Sequence, residues 1–208
     1  TMSAFTLSSS YAVANASALV KSRGVKARAS RRAAIAPKAA VKVGDAAPDF
    51  TLMGPGFELT TLSKLKGQKV CLAFFPAAYS GDADGGCECQ LGALKSISET
   101  DGVTVLGISK DTPFTMAPWS AKVGFTCLSD PSLATSEKYV GTFDLGKFLD
   151  DIDVSTNFAP YVTSNRGCVV LDETGKVVYV WNSPGEPGML PDTTEIQAAL
   201  GIGKTNFA

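Results

Sequence analysis

Histidine is absent from all 208 residues of the chain. That removes any Ser–His or Cys–His catalytic pair, any imidazole ligand for a metal, and the one side chain that titrates near neutrality unaided. Long apolar runs are missing too: nothing approaches the roughly eighteen residues that a membrane-spanning helix needs. The five cysteines, Cys71, Cys87, Cys89, Cys127 and Cys168, include no C-x-x-C pair, which argues against the usual dithiol-exchange motif. Their odd number and irregular spacing do not make a secreted disulfide framework. What remains is a chain with 45% hydrophobic residues, long enough to bury one real core.

Acidic residues are missing from the first 44 positions, which hold eight basic ones: Lys21, Arg23, Lys26, Arg28, Arg31, Arg32, Lys38 and Lys42. The other 11 Lys and Arg and all 20 Asp and Glu follow, so a net charge of −1 averages a head of +8 and a body of −9. To about residue 40 the head is rich in Ser and Ala. Such a composition cannot bury enough apolar surface to fold, and it matches an organelle transit peptide. The uncharged Ser/Ala opening and the run Val25–Ser30 (VKARAS) point to a plastid, with the mitochondrion as the alternative. The rival reading is a nucleic-acid arm, but no aromatic residue stands among the positives for bases to stack on, so no nucleic-acid partner is expected. We divide the chain into a transit segment (1–40), a folded domain (41–202) and a short tail (203–208).

The body reads as α/β. Val70–Phe75 and Val103–Ser109 are short continuous apolar runs, as in strands covered on both faces. Between them, Leu91, Leu94 and Ile97 recur at helical spacing over Glu88–Glu99, which makes a βαβ unit. Asp111-Thr-Pro predicts a second helix opened by a capping residue and a proline. A short strand is expected at Phe125–Leu128 and a helix at Ser132–Tyr139. Arg166–Leu171 and Lys176–Trp181, joined by Asp172-Glu-Thr-Gly, predict a hairpin. A helix at Thr193–Leu200 closes the domain. Residues 142–163 have little periodicity and are expected to be an exposed insertion.

Open α/β sheets bind ligands where strands feed helix N-termini. Here that junction holds Cys87, in or just before the first helical turn, where free backbone N–H groups favour a thiolate. Asp82, Asp84 and Glu88 oppose the anion, and an arginine from elsewhere in the chain would settle the balance.

Several motifs, in order, resemble the peroxiredoxins, thiol peroxidases of thioredoxin-like fold. They are Val43-Gly-Asp-Ala-Ala-Pro-Asp-Phe-Thr-Leu, Phe74-Phe-Pro-Ala-Ala-Tyr-Ser, Gly107-Ile-Ser-Lys-Asp-Thr-Pro-Phe, Leu128-Ser-Asp-Pro, Arg166-Gly-Cys-Val-Val-Leu-Asp and Pro184-Gly-Glu-Pro. The resemblance spans about Val43 to Leu200. It implies an α/β thioredoxin-like fold, a central mixed sheet with helices on both faces. It also implies a peroxidase acting on hydrogen peroxide and small organic hydroperoxides through a cysteine sulfenic acid, with no cofactor. A thiol such as thioredoxin, glutaredoxin or glutathione would be the reductant, and a homodimer is compatible with it. By the same resemblance Cys87 is the peroxidatic thiolate and Arg166 stabilises it and the charge on the departing oxygen. Ser80 stands where the family has the threonine that hydrogen-bonds the peroxide. Pro76 shields the pocket, and Gln90 occupies the glutamate position that orients the arginine.

The chain departs from the family in its loop. Two residues separate the family's threonine and cysteine; here six do, Gly81–Gly86. A strict alignment from Pro76 would put Ala83 at the cysteine position. We prefer an insertion, because Cys87-Glu-Cys-Gln-Leu restores the spacing to Gln90 and the helix. Neutral Gln90 is expected to lose the charge that holds Arg166. The resolving partner is open between Cys89, which needs local unwinding to meet Cys87, and Cys168, which shares a strand face with Arg166. The C-x₄-C spacing of Q-type peroxiredoxins is absent. Cys71 and Cys127 read as core residues. Two alternatives stand beside the enzyme: a catalytically degenerate scaffold, and a soft-metal site at Cys87 and Cys89, which as C-x-C is half a site.

Overall fold

The structure, a computed structural model, describes residues 41–81, 85–154 and 157–203. The predicted transit segment, Asp82–Asp84 of the loop and all but the first residue of the predicted tail lie outside the described residues. Seven strands form one mixed sheet: β1 (Thr51–Met53), β2 (Leu59–Thr61), β3 (Lys69–Phe74), β4 (Val103–Ser109), β5 (Cys127–Ser129), β8 (Gly167–Leu171) and β9 (Val177–Asn182). Their order is β2-β1-β5-β4-β3-β8-β9, with β3, β4 and β5 parallel and the other pairings antiparallel.

Strand periodicity sorts the core into two layers. Cys71 and Ala73, with Phe75 just beyond the strand, face one side, under α1 (Cys87–Gly92), α2 (Lys95–Ser98), α3 (Pro113–Val123) and α6 (Thr193–Ala199). Val70, Leu72 and Phe74 face the other, against Phe50, Leu62 and Tyr139 of α4 (Ala134–Tyr139). Helices therefore cover both faces of the sheet, as expected. Alternation so regular explains why β3 reads as one unbroken apolar run. Gly107 is glycine because Cys127, its partner across β4 and β5, fills the space: a Cβ there would sit 2.6 Å from Cys127 Sγ.

Three expectations need correction. The helix predicted over Glu88–Glu99 is two short ones, α1 and α2, although Leu91, Leu94 and Ile97 are buried as the spacing required. Gly92 weakens the helix interior, and the bond from Leu94 N–H to Leu91 O (3.0 Å) tightens the break. Asp111 does not cap α3, whose N-cap is Thr112 with no side-chain cap. Residues 142–163 are not merely an exposed insertion: β6 (Thr142–Asp144) and β7 (Val162–Ser164) pair antiparallel around α5 (Leu145–Asp151). Asp144 ties that unit together by accepting from Lys147 N–H (2.9 Å) and Tyr161 N–H (3.1 Å). Three-residue strands are too short for a visible period. The hairpin after Arg166 is present, with Asp172 accepting from the backbone N–H of Thr174 and Lys176 (2.9 Å each) in its turn. Among the described residues no helix is long and apolar enough to cross a membrane.

Candidate active site

β3 delivers the chain to the carboxyl edge of the sheet, beside the ends of β4 and β5. There Asp111, one residue past the Lys110 that follows β4, accepts from the backbone N–H of Ala78 (2.8 Å) and from the Ser109 hydroxyl (2.8 Å). It thus holds the first part of the loop from the neighbouring strand. Pro76 is buried. Tyr79 adopts a left-handed backbone conformation (φ 58°) and packs its ring 4.8 Å from that of Trp119. Ser80 is exposed, and the hydrogen bonds at Cys87 and Arg166 are made with other residues.

Cys87 opens α1 with its side chain buried (1% exposed). Arg166, immediately before β8 and 2% exposed, brings Nη2 to 3.6 Å from Cys87 Sγ. A guanidinium has five N–H donors, and here each meets an acceptor. Nε donates to Pro187 O (2.7 Å), and Nη1 to Gln90 Oε1 (2.7 Å) and Gly86 O (3.4 Å). Nη2 donates to Gly85 O (2.8 Å) as well as to the sulfur. No carboxylate is among these partners. A buried cation without a counterion is unfavourable by several kcal/mol, and sulfur is the one acceptor of the five able to carry the balancing negative charge. Burial pulls Arg166 below its ordinary value. Charge on Cys87, its hydrogen bond and, more weakly, charge on Cys89 push it back up.

Gln90 corrects the expectation that a neutral residue leaves the arginine unheld. Its Nε2 donates to Phe74 O (3.2 Å) and Gly167 O (3.4 Å), so Oε1 must turn to Arg166. The amide thereby links the ends of β3 and β8 to the guanidinium without bringing a charge that would compete with sulfur. The longer loop belongs to the same cradle through the Gly85 and Gly86 carbonyls. Gly85 has φ +85°, and a Cβ there would lie 2.6 Å from Gly188 O. Glu88, expected to oppose a thiolate, is paired with Lys122 of α3 at 2.8 Å. Lys122 also stands 5.7 Å from the centre of the Tyr79 ring.

The structure gathers Cys87, Arg166, Gln90 and buried Pro76 at this edge and leaves Ser80 on the surface. Cys89 is partly exposed on the first turn of α1. Cys168 lies in the same core layer as Cys87, but its thiol is engaged elsewhere. Arg166 precedes β8 rather than belonging to it, and the Cys168 thiol turns to Cys71, with the sulfurs 3.5 Å apart in the core. The Cys71 hydrogen bond, together with burial, holds Cys168 well above an ordinary thiol. Burial pushes Cys127 up to about 12. Among the described residues no three Cys, Asp or Glu side chains converge as a metal site requires, so the C-x-C pair has no further ligands there. Sequence reasoning missed Gly85, Gly86 and Pro187, whose carbonyls leave no side-chain signature. It also missed Asp111 as a loop tether and Lys122 as the partner of Glu88.

Comparison with known proteins identifies the domain that holds this site. The sequence profile of the AhpC/TSA family matches residues 43–180. Alkyl hydroperoxide reductase E of Mycobacterium tuberculosis is 34% identical over 152 residues, covering 70% of this chain and 89% of that protein. Peroxiredoxin Bcp of Escherichia coli is 30% identical over 151 residues, covering 68% and 86%. A peroxiredoxin-like protein from Aquifex aeolicus has the same fold, with a TM-score of 0.60 at 22% identity over 77% of this chain and 86% of that one. A buried arginine aimed at a cysteine at the start of a helix therefore sits in a domain that both profile and relatives place: the chain belongs to the AhpC/TSA family.

Proposed function

We propose that the protein is a thiol-dependent peroxidase that reduces hydrogen peroxide and small organic hydroperoxides through Cys87. The observation that carries this is the Arg166 cradle: a buried guanidinium whose one partner able to bear charge, among the described residues, is the Cys87 sulfur. The thiolate attacks one peroxide oxygen, the O–O bond breaks, and the departing oxygen leaves as water or an alcohol after taking a proton. Cys87 becomes a sulfenic acid. Arg166 faces both charges, on sulfur before attack and on the departing oxygen during it, in a site where water is scarce and electrostatics are strong. Burial of Cys87 suits a small oxidant. Pro76 keeps water from the sulfur, Gln90 positions Arg166, and Ser80 would reach substrate only by inward movement of the loop.

Three features permit a degenerate scaffold: the enlarged Gly81–Gly86 loop, Gln90 and the acidic 142–163 insertion. The first two both supply acceptors to Arg166, which favours the enzyme. The direct test is peroxide consumption by the reduced protein in excess dithiothreitol. Peroxide loss matched by dithiothreitol oxidation is expected, and a folded protein that consumes none would sink the reading.

The proposal extends to the head. Eight positives without an acid in a Ser/Ala-rich segment support delivery to a plastid. Residues 1–40 fused to a fluorescent reporter should bring it into plastids and be removed there. A reporter that goes to mitochondria, or stays in the cytosol, overturns this.

A further inference from the structure

A sulfenic acid at Cys87 must be reduced by a second thiol, and the four other cysteines are not equivalent. Cys71 and Cys168 are both fully buried in the sheet, each with its sulfur against the other at 3.5 Å. Cys127 is fully buried over Gly107. Cys89 is partly exposed, in the same helical turn as Cys87. We propose that Cys89 is the resolving thiol, closing an intrachain Cys87–Cys89 disulfide after the first turn of α1 unwinds. This rests on Cys87 being the thiol that peroxide oxidises.

Residues two apart on a helix point in different directions, whereas in extended backbone they share a face. The bridge therefore needs the turn to open, and the turn is built for it. Its N-cap, Gly86, contributes no side-chain cap, and Gly85 precedes it. The bond from Gln90 N–H to Gly86 O (3.2 Å) ties the glycine cap to the helix. Buried Gln90 and Leu91 anchor the helix immediately below, so unwinding stops there. Further ties are the bond from Ala93 N–H to Cys89 O (3.2 Å), the Glu88–Lys122 pair and the contacts of Arg166 with Gly86 O and Cys87 Sγ. Oxidation weakens the last of these: a thiolate becomes a neutral sulfenic acid, and Arg166 loses its charged partner. The Cys89 thiol then attacks the Cys87 sulfur. An S–S bond forms, the S–O bond breaks, and hydroxide leaves as water with the proton from Cys89. Two electrons from an external thiol reductant restore both cysteines.

The test exploits Glu88, which lies between the two cysteines. The full-length reduced protein receives one equivalent of hydrogen peroxide, is blocked with N-ethylmaleimide, and is digested with a protease that cuts after glutamate. Two fragments joined until reduction, one ending at Glu88 and one starting at Cys89, are expected. A Cys87 disulfide to Cys168 or to a second chain, or Cys89 recovered as the alkylated thiol, overturns the proposal. In the Cys89→Ser variant, dimedone should trap about tenfold more sulfenic acid at Cys87 than in the wild type; equal trapping overturns it as well. If peroxide survives and no cysteine is oxidised, the peroxidase reading itself has failed, and that outcome is distinct from oxidation at Cys87 without a bridge to Cys89.

Discussion

Arg166→Met is expected to lower the second-order rate constant for peroxide by about 10²–10³-fold, the scale on which removal of a preorganised charge-stabilising donor is felt. Cys87→Ser sets the floor of the same assay, with no thiol-dependent consumption at all. Methionine fills much of the arginine's volume but removes all five donors, leaving four carbonyl-type oxygens and the Cys87 sulfur without them. Two effects on stability oppose each other. Orphaned buried acceptors cost about 1–3 kcal/mol each where no water reaches them. Removing a buried cation that has no carboxylate beside it among the described residues regains several kcal/mol of desolvation. The net change in stability is therefore small compared with the loss of rate. Stopped-flow peroxide consumption alongside a thermal melt separates the two. Arg166→Lys should fall between wild type and Arg166→Met, since a point charge keeps the sign but cannot serve five acceptors. A methionine variant with a near-wild-type rate constant would remove the electrostatic account of the site.

Gly85→Ala has the second largest expected effect. The position has φ +85°, which an L side chain adopts with strain, and the added Cβ would meet the Gly188 backbone at 2.6 Å from its oxygen and 2.9 Å from its Cα. Backbone cannot rotate away as a side-chain tip does. The loop must shift, and the Gly85 carbonyl shifts with it from Arg166 Nη2, now 2.8 Å away. We expect a loss of about 1–3 kcal/mol in stability. Displacement of the catalytic groups by even a fraction of an ångström should lower the rate by about 10- to 100-fold. Gly81→Ala is the control: it has φ +110° but, among the described residues, nothing within 4 Å of its Cβ, so it carries the backbone strain without the Gly188 clash. Denaturant midpoints and peroxide rates for the two variants check this, and equal rates would mean that the Gly85–Gly188 approach does not position the arginine.

Much of the sheet could be read in the sequence because its central strands are buried on both faces. Val70–Phe75 and Val103–Ser109 each show a continuous apolar run, and β3 and β4 lie there to within a residue. The helix face of Leu91, Leu94 and Ile97 was legible for the same reason. The β1–β2 hairpin and the β6–β7 pair were not, since three-residue strands contain too little pattern to separate from loop.

Sequence alone determined which atoms could do chemistry. Without histidine, the reactive set shrank to cysteine and arginine, and ordered motifs singled out Cys87 and Arg166. Tertiary structure decided how those atoms are held. Gln90, Gly85, Gly86 and Pro187 surround the guanidinium with neutral acceptors, Lys122 answers Glu88, and Cys168 is matched to Cys71 rather than to the site. The physical reason is distance along the chain. Composition, period and local spacing are properties of neighbours in sequence. The charge balance at Cys87 draws in Lys122, Arg166 and Pro187, which stand 35, 79 and 100 residues further along the chain, and Pro187 acts through a backbone carbonyl with no side chain to announce it.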